Sequence, residues 1–241
     1  MLNGDSLAAK FDLEGDRAIM REALIDGPLR PAIDADFEQV RVEYLEAAYP
    51  EVKMNYATQV AAEWHKALQT RADRIYFWFD ADAFCQINFL FWLEWLYMHP
   101  AIMERKHIFY IRPQPEEFGE MSTADHFGCF NDAMPLGSIL LQPAHACWMA
   151  LAMGDFEVLE ASIKLIPQNH FALRSALNWY VKNYWPDKNG RPKLAIELEK
   201  YYARNPQIAA YSKQEKFRIF SQQYKKAGLG DLQFWRMIGE G

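Results

Sequence analysis

The chain has 241 residues, of which 51% are apolar, 24% are charged and 15% are aromatic. This length and composition predict a globular protein with a substantial core. The 26 basic and 32 acidic residues give a net charge of −6 at pH 7. A modestly acidic chain without a basic block is a poor binder of nucleic-acid backbones, which need clustered Lys and Arg. We therefore expect no nucleic-acid partner.

The cysteines and the hydropathy pattern bear on the cellular setting. The three cysteines are Cys85, Cys129 and Cys147. An odd number at wide spacing, without a CxxC pair, argues against a disulfide framework. The opening residues MLNGDS turn polar within three positions, unlike a signal peptide. The most apolar run, residues 83–98, is too short for a bilayer span, and we expect it to form a buried helix. These features predict a cytoplasmic protein without a membrane partner.

The first half of the chain alternates between strand and helix patterns. Short segments that read as strands are found at residues 1–3, 18–20, 74–79 and 107–111. The clearest is 74–79, whose β-branched and aromatic residues are bounded by polar ones. Helical spacing is found at residues 6–14, 35–48, 56–72 and 84–98. This alternation favours a short parallel sheet with right-handed crossovers. We predict an α/β fold with a Rossmann-like or flavodoxin-like three-layer N-terminal region.

Strand signals cease after the Pro-rich stretch at residues 113–115. Helical patterns follow at residues 143–153, 156–165, 171–184, 192–204, 212–227 and 232–238. The change in pattern predicts a parallel-sheet α/β domain over residues 1–115 and an all-helical domain over residues 116–241, packed on it.

Three stretches of the sequence, taken in order, resemble a known family. The first is LNGDS at residues 2–6, followed by MREAL at 20–24 and Gly27-Pro28. The second is FWFDADAFCQINFLFWLEWL at residues 77–96, and the third runs from Ile166-Pro167 through Ala172-Leu173-Arg174 to Asn189-Gly190. Together they resemble the bacterial domain-of-unknown-function 1835 family, from residue 2 to about 190 and more weakly over 231–237.

The resemblance implies fold and extent, because the family is uncharacterised. Its acidic turn usually carries a carboxylate or His pair followed by Asp-Gln. Asp80, Asp82 and Gln86 fit that pattern, whereas Cys85 stands where an Asp is common. The departure counts against a mechanism that needs three acids on this turn. Arg174 also matches the family pattern.

The turn after the first predicted strand is a candidate anion site. Gly4 allows a sharp turn, and Ser6 then caps a predicted helix whose N-terminus attracts anions. Asp5 lies between them. The alternative is a plain strand-to-helix turn with a Ser cap. The sequence has no GxGxxG or Walker motif, so we do not expect a dinucleotide or P-loop site.

Two carboxylates follow the predicted strand 74–79. Asp80 and Asp82 are placed to hold a hard cation such as Mg²⁺, or to perturb each other's pKa for acid/base catalysis. Ligands of parallel sheets bind at the carboxyl ends of strands, where Asp5, Arg21 and Glu22 are also expected. The alternative for Asp82 is capping of the apolar helix that follows it.

Other charged and thiol residues carry weaker signals. Arg174 can meet a bound anion or pair with Asp80 or Asp82, but a lone Arg beside an apolar stripe is usually solvated. The spacing of the remaining His and Cys residues fits no common zinc site. Those residues are His126, Cys129, His145 and Cys147. We expect them to be isolated core or surface residues, and residues 213–226 to form a solvated helix face.

The sequence leaves two hypotheses open. In the first, the sheet rim binds an anionic or phosphorylated small molecule, with Mg²⁺ as the candidate cofactor. Asp80 and Asp82 are then the catalytic or metal-ligating groups. The ligand-binding set is Gly4, Asp5, Ser6, Arg21, Glu22, Gln86 and Arg174. In the second, the chain is a non-enzymatic interaction or regulatory module whose aromatic surface binds a protein partner or a second copy.

Overall fold

The computed structural model describes residues 1–50 and 55–239. It is a mixed α/β fold dominated by helices. The strands are short and are Leu2–Asn3 (β1), Ile19–Met20 (β2), Arg74–Phe77 (β3), His107–Tyr110 (β4) and Met134–Pro135 (β5). Four of them lie where the sequence predicts strands. Of these, β3 and β4 consist mainly of aromatic and β-branched residues, which fit a pleated, half-buried surface.

Helices fill the connections between the strands and the rest of the chain. Those before β5 are Asp5–Lys10 (α1), Ala35–Ala48 (α2), Ala62–Leu68 (α3), Ala83–Met98 (α4), Pro100–Arg105 (α5) and Thr123–Asn131 (α6). Those after it are Leu141–Met153 (α7), Phe156–Leu165 (α8), Phe171–Trp179 (α9), Lys193–Arg204 (α10), Pro206–Ala209 (α11), Lys213–Gln223 (α12) and Asp231–Met237 (α13). Short 3₁₀ turns occur at Phe118–Glu120 and Lys225–Ala227.

The strands form two small sheets joined at one point. β1 pairs in parallel with β2, β3 pairs in parallel with β4, and β5 adds to β4 in the antiparallel sense. An isolated parallel bridge between Leu2 and Trp78 connects the two sheets. There the Asn3 N–H donates to the Trp78 carbonyl over 3.1 Å. The strands therefore lie in the spatial order β2-β1-β3-β4-β5.

Helix α4 is the central buried element. Most of its residues are buried, including Phe89, Leu90 and Trp92, as predicted for an apolar helix without a solvent face. Helices α7 and α9 pack against it. The main hydrophobic cluster runs from Met20 to Phe234 and so includes residues of both predicted domains. The division at residue 115 stays a prediction.

Several element boundaries differ from the sequence prediction. Ser6 does not cap α1: the helix begins at Asp5 after Gly4, no side-chain cap bond is made, and the helix ends at Lys10. The predicted helices 56–72 and 171–184 contain π-helical turns at Ala57–Ala61 and Tyr180–Tyr184. Strand β5 and helices α5, α6 and α11 are not among the predicted elements. Local start signals were present for the helices, because α6 begins with a Ser122–Asp125 capping box and α5 and α11 begin with proline.

Within the described residues, no helix combines the length and the apolar character that a bilayer crossing requires.

Candidate functional site

A cleft opens at the carboxyl ends of β1 and β3. It has a volume of about 330 Å³. One wall carries Asn3, Ser6, Asp80, Asp82, Cys85 and Glu117. The opposite wall comes from α12 and the segment after it, with Phe217, Ser221, Tyr224, Lys225 and Gly228. We call this the acidic cleft. The topology places it there because β1 ends at Asn3 and the chain leaves β3 towards Asp80 on the same sheet edge.

Asp80 is a partly buried carboxylate in this cleft. Its Oδ1 accepts a hydrogen bond of 2.9 Å from the Phe118 N–H. Burial raises the pKa of Asp80 to about 7, and the negative charges of Asp82 and Glu117 add to the rise, while the Phe118 N–H opposes it. Near neutral pH the side chain is therefore present in both protonation states, and a bound cation would favour the charged one.

Asp82 caps helix α4, which was the alternative considered for it. Its Oδ1 accepts a hydrogen bond of 2.8 Å from the Cys85 N–H. Burial raises the pKa of this carboxyl as well, against the stabilising hydrogen bonds from Cys85. Capping uses one oxygen, so the carboxylate can cap the helix and still offer an oxygen to a ligand in the cleft.

A chain of polar side chains supports the cleft from below. The Asn3 amide donates to the Cys85 Sγ over 2.9 Å and accepts from the Asn88 amide over 3.0 Å. Asn88 in turn donates to the Glu22 carbonyl over 2.7 Å. Burial raises the pKa of the Cys85 thiol well above its ordinary value, with Asp82 and Asp80 adding to the rise. The thiol therefore stays protonated at neutral pH.

Three potential metal ligands meet in the cleft. Ligand atoms of Asp80, Asp82 and Cys85 lie within 4.8 Å of one another. Oxygen ligands at about 2.1 Å from a Mg²⁺ ion lie at most about 4.2 Å apart, so small side-chain shifts bring both carboxylates to one ion. A protonated thiol is a poor ligand for a hard cation. The donor set fits a cation held by the carboxylates, with Cys85 beside it.

Most of the turn residues next to β1 and β2 do not line the acidic cleft. Gly4 has a positive φ of 82°, which provides the sharp turn that the sequence predicts. Asp5 and Arg21 pair with each other at 2.8 Å, and Arg21 also donates to the Gln59 carbonyl over 3.1 Å. Neither side chain lines the acidic cleft. Of this group, only Ser6 does.

The other predicted ligand-binding residues also lie outside the cleft. Glu22 is fully buried and pairs with Arg41 at 2.8 Å. Gln86 is buried, and its amide donates to the Asp80 carbonyl over 2.6 Å, which fixes the acidic turn from behind. Arg174 lines a different groove, together with Lys182 and Lys226. The structure thus brings Ser6, Asp80 and Asp82 together but not the whole predicted set.

The acidic cleft contains none of the remaining candidates, His126, Cys129, His145 and Cys147. The His126 Nε2 lies 2.8 Å from the Phe118 carbonyl oxygen, and the His145 Nδ1 lies 2.8 Å from Glu94 Oε2. Cys147 is buried in the core. Among the residues that the structure describes, the group around Asp80 is the only one with three clustered metal-ligating side chains.

A larger and mainly apolar cavity lies at the other end of the strands. It has a volume of about 570 Å³ and includes Phe77, Trp92 and Trp95 in its lining. The metal-ligating cluster is not part of it. The chemistry of the side chains, rather than the size of the cavity, therefore makes the acidic cleft the candidate site.

Gly228 touches the acidic turn at a distance that only glycine permits. It has a φ of +65°, and a Cβ there would lie 1.9 Å from Asp82 Oδ1. Gly228→Ala should therefore displace the Asp82 side chain and weaken the α4 cap in addition to straining the backbone. We expect a loss of about 2 kcal/mol in the free energy of unfolding, measured by urea denaturation.

Gly190→Ala is the matched control for this prediction. Gly190 has a similar φ of +77°, but a Cβ there would meet nothing within 4 Å. It should cost about 1 kcal/mol, from backbone strain alone. Equal losses in the two variants would show that Gly228 does not press on Asp82.

Comparison with known proteins gives no match to any protein-family profile, to any curated protein or to any solved structure. The resemblance to the domain-of-unknown-function 1835 family stays a prediction.

Proposed function

We propose that the chain binds a phosphorylated small molecule in the acidic cleft, through a Mg²⁺ ion held by Asp80 and Asp82. One observation carries this proposal. Both carboxylates are partly buried in one cleft, yet within residues 1–50 and 55–239 neither makes an ion pair. Buried carboxylates are costly unless they are paired, protonated or bound to a metal. A divalent cation would satisfy both.

The strand order supports the finer assignment of the fold. The order β2-β1-β3-β4-β5 is the flavodoxin-like order, although β5 runs antiparallel here. In such sheets the order reverses between β1 and β3, and ligands bind beyond the carboxyl ends of those two strands. Asn3 and Asp80 occupy these two strand ends. A Rossmann-like or flavodoxin-like layering is therefore part of the proposal.

The cleft also offers groups that suit an anion beside the cation. Lys225 supplies a positive charge and Ser6 a hydroxyl donor, whereas the Ser221 hydroxyl already donates to the Arg218 carbonyl over 3.0 Å. A Mg²⁺ ion bound by two carboxylates keeps open coordination positions, which substrate phosphates commonly fill. Phosphoryl transfer or hydrolysis is the reaction that such an arrangement favours, because the cation and Lys225 stabilise negative charge that develops on the phosphoryl oxygens.

The test is a binding screen of nucleotides and phosphoesters with and without Mg²⁺, read by isothermal titration calorimetry. We expect Mg²⁺-dependent binding of at least one class by the wild-type chain. Asp80→Asn together with Asp82→Asn should weaken it at least tenfold, because both proposed metal ligands lose their charge. Mg²⁺ affinity should also fall as the pH drops below about 7, since the proton competes for Asp80.

Asp12→Asn together with Asp73→Asn is the control, because it removes the same charge from two exposed positions outside the cleft. The control should bind as the wild type does. A screen without any Mg²⁺-dependent ligand, or equal binding by both double variants, would contradict the proposal and favour the alternative of a protein-interaction module.

A further inference from the structure

A second groove, distinct from the acidic cleft, runs along helix α9 and the π-helical turn that follows it. Its volume is about 760 Å³. Its charged lining residues are Arg174, Lys182 and Lys226, and none of the carboxylates that the structure describes lines it. We call it the basic groove. The chain has a net charge of −6, so this groove carries the opposite sign of charge from the protein as a whole.

The three cations are free to meet a ligand. Within the part of the chain that the structure describes, the side chains of Arg174, Lys182 and Lys226 form no ion pair and donate no hydrogen bond. By contrast, Arg21 and Arg41 are both paired with carboxylates. An unpaired cation loses little by binding an external anion, because it breaks no internal ion pair. The groove therefore attracts negatively charged ligands.

The positions of the cations favour an extended anion. Arg174 and Asn178 lie four residues apart on one face of α9, Lys182 follows in the π-helical turn, and all three line the groove. The eight helical steps from Arg174 to Lys182 separate their backbones by on the order of 10 Å. Lys226 lines the same groove from the segment after α12. Two cations thus lie along one helical segment and the third lies beside them. This arrangement suits several linked phosphates better than a single phosphate.

Aromatic rings lie beside this line of charge. Phe171 is 74% exposed, and Trp179 and Tyr224 are partly exposed. All three line the basic groove. A partly exposed ring offers a stacking surface to a nucleobase, and such stacking tolerates any base. Cations and rings occur together here, so the preferred ligand has both phosphates and a flat ring.

We propose that the basic groove binds a nucleoside di- or triphosphate, with its phosphates along Arg174, Lys182 and Lys226 and its base against a neighbouring ring. This inference does not depend on the function proposed for the acidic cleft. The two sites share Tyr224 in their linings but differ in every charged residue. From the sequence, Arg174 was expected to meet an anion at the sheet rim or to pair with Asp80 or Asp82. Lys226 joins it only in the folded chain.

The test titrates ATP, AMP, adenosine and inorganic triphosphate into the full chain by calorimetry, in Mg²⁺-free buffer with EDTA. ATP should bind most tightly, and its affinity should fall as the salt concentration rises. Arg174→Gln together with Lys182→Gln should weaken ATP binding at least tenfold. The matched control, Lys164→Gln with Lys200→Gln, removes two exposed charges outside the groove and should leave the affinity unchanged.

Four results would overturn the inference. The first is that the wild-type chain does not bind ATP at low salt, and the second is that the groove and control variants lose ATP affinity equally. The third is that inorganic triphosphate binds as tightly as ATP, and the fourth is that Asp80→Asn with Asp82→Asn abolishes ATP binding. The last result would place the ligand in the acidic cleft. Mg²⁺-dependent binding there could fail while the groove still binds ATP, so the two proposals are separable.

Discussion

Replacing Arg41 by Met should lower the free energy of unfolding by about 3–5 kcal/mol, because it leaves the Glu22 carboxylate buried and unpaired. Both side chains of this pair are fully buried, and the guanidinium lies 2.8 Å from Glu22 Oε1. The same guanidinium also donates to the carbonyls of Ala23, Asp26 and Pro28. Met preserves much of the volume and removes all of these donors.

A double variant separates the effect of the unpaired Glu22 charge on stability from the effect of the lost Arg41 packing. Arg41→Met together with Glu22→Gln removes the buried charge, so we expect it to recover part of the lost stability. Arg71→Met, at an exposed arginine, should change the stability by less than about 0.5 kcal/mol. Urea denaturation measures all three. A loss below about 1 kcal/mol in Arg41→Met would show that Glu22 finds water or another partner, and would reopen a ligand-binding role for it.

Asp80→Asn should stabilise the chain at pH 8, by up to about 4 kcal/mol. Folding raises the pKa of Asp80 from its ordinary value of 3.8 to about 7, so ionisation of the folded state costs free energy that the unfolded chain does not lose. Since the pKa is raised, the wild-type chain loses stability as the pH rises from about 4 to 7. The variant has no carboxyl here, and its amide oxygen can still accept from the Phe118 N–H.

The pH dependence of the stabilisation tests the role of Asp80 more specifically than its size at pH 8. The stabilisation should be full above pH 7 and should fade towards zero below pH 4, where the wild-type carboxyl is protonated in both states. Asp73→Asn, at an exposed position, is the control and should show no such pH dependence. A stabilisation that grows as the pH falls would contradict the account of Asp80. Saturating Mg²⁺ should stabilise the wild type but not the variant.

The local parts of the site were predictable from sequence. The Asp80-Ala81-Asp82 turn follows a clear strand and precedes a clear apolar helix, so its place at a strand end follows from short-range pattern alone. The same pattern predicts Asp82 as a cap. Helix α4 was predicted to be buried for the same reason, since an apolar run of this length has no face for solvent.

The opposite wall of the cleft was not predictable in this way. Lys225 and Gly228 come from the far end of the chain, and only tertiary packing brings them to Asp82. Nothing in their local sequence indicates an acidic partner. Asn88 did carry a signal, because an amide inside an apolar helix needs a partner, and that partner is Asn3.

Only some of the side chains expected at the strand ends meet in the acidic cleft, because others form ion pairs elsewhere. Arg21 pairs with Asp5, and Glu22 pairs with Arg41 of helix α2. Sequence order places such residues at a common sheet edge, but it does not decide which charges neutralise each other. Of the carboxylates predicted at the strand ends, Asp80 and Asp82 make no ion pair within residues 1–50 and 55–239, and they therefore identify the site.

The most direct test of the account is a crystal structure of the chain grown with Mn²⁺ in place of Mg²⁺, with anomalous data collected near the manganese edge. We expect one strong anomalous peak within about 2.5 Å of a carboxylate oxygen of both Asp80 and Asp82. Crystals of Asp80→Asn with Asp82→Asn should lack that peak. A wild-type structure at saturating Mn²⁺ with no peak between these two residues would contradict the central claim.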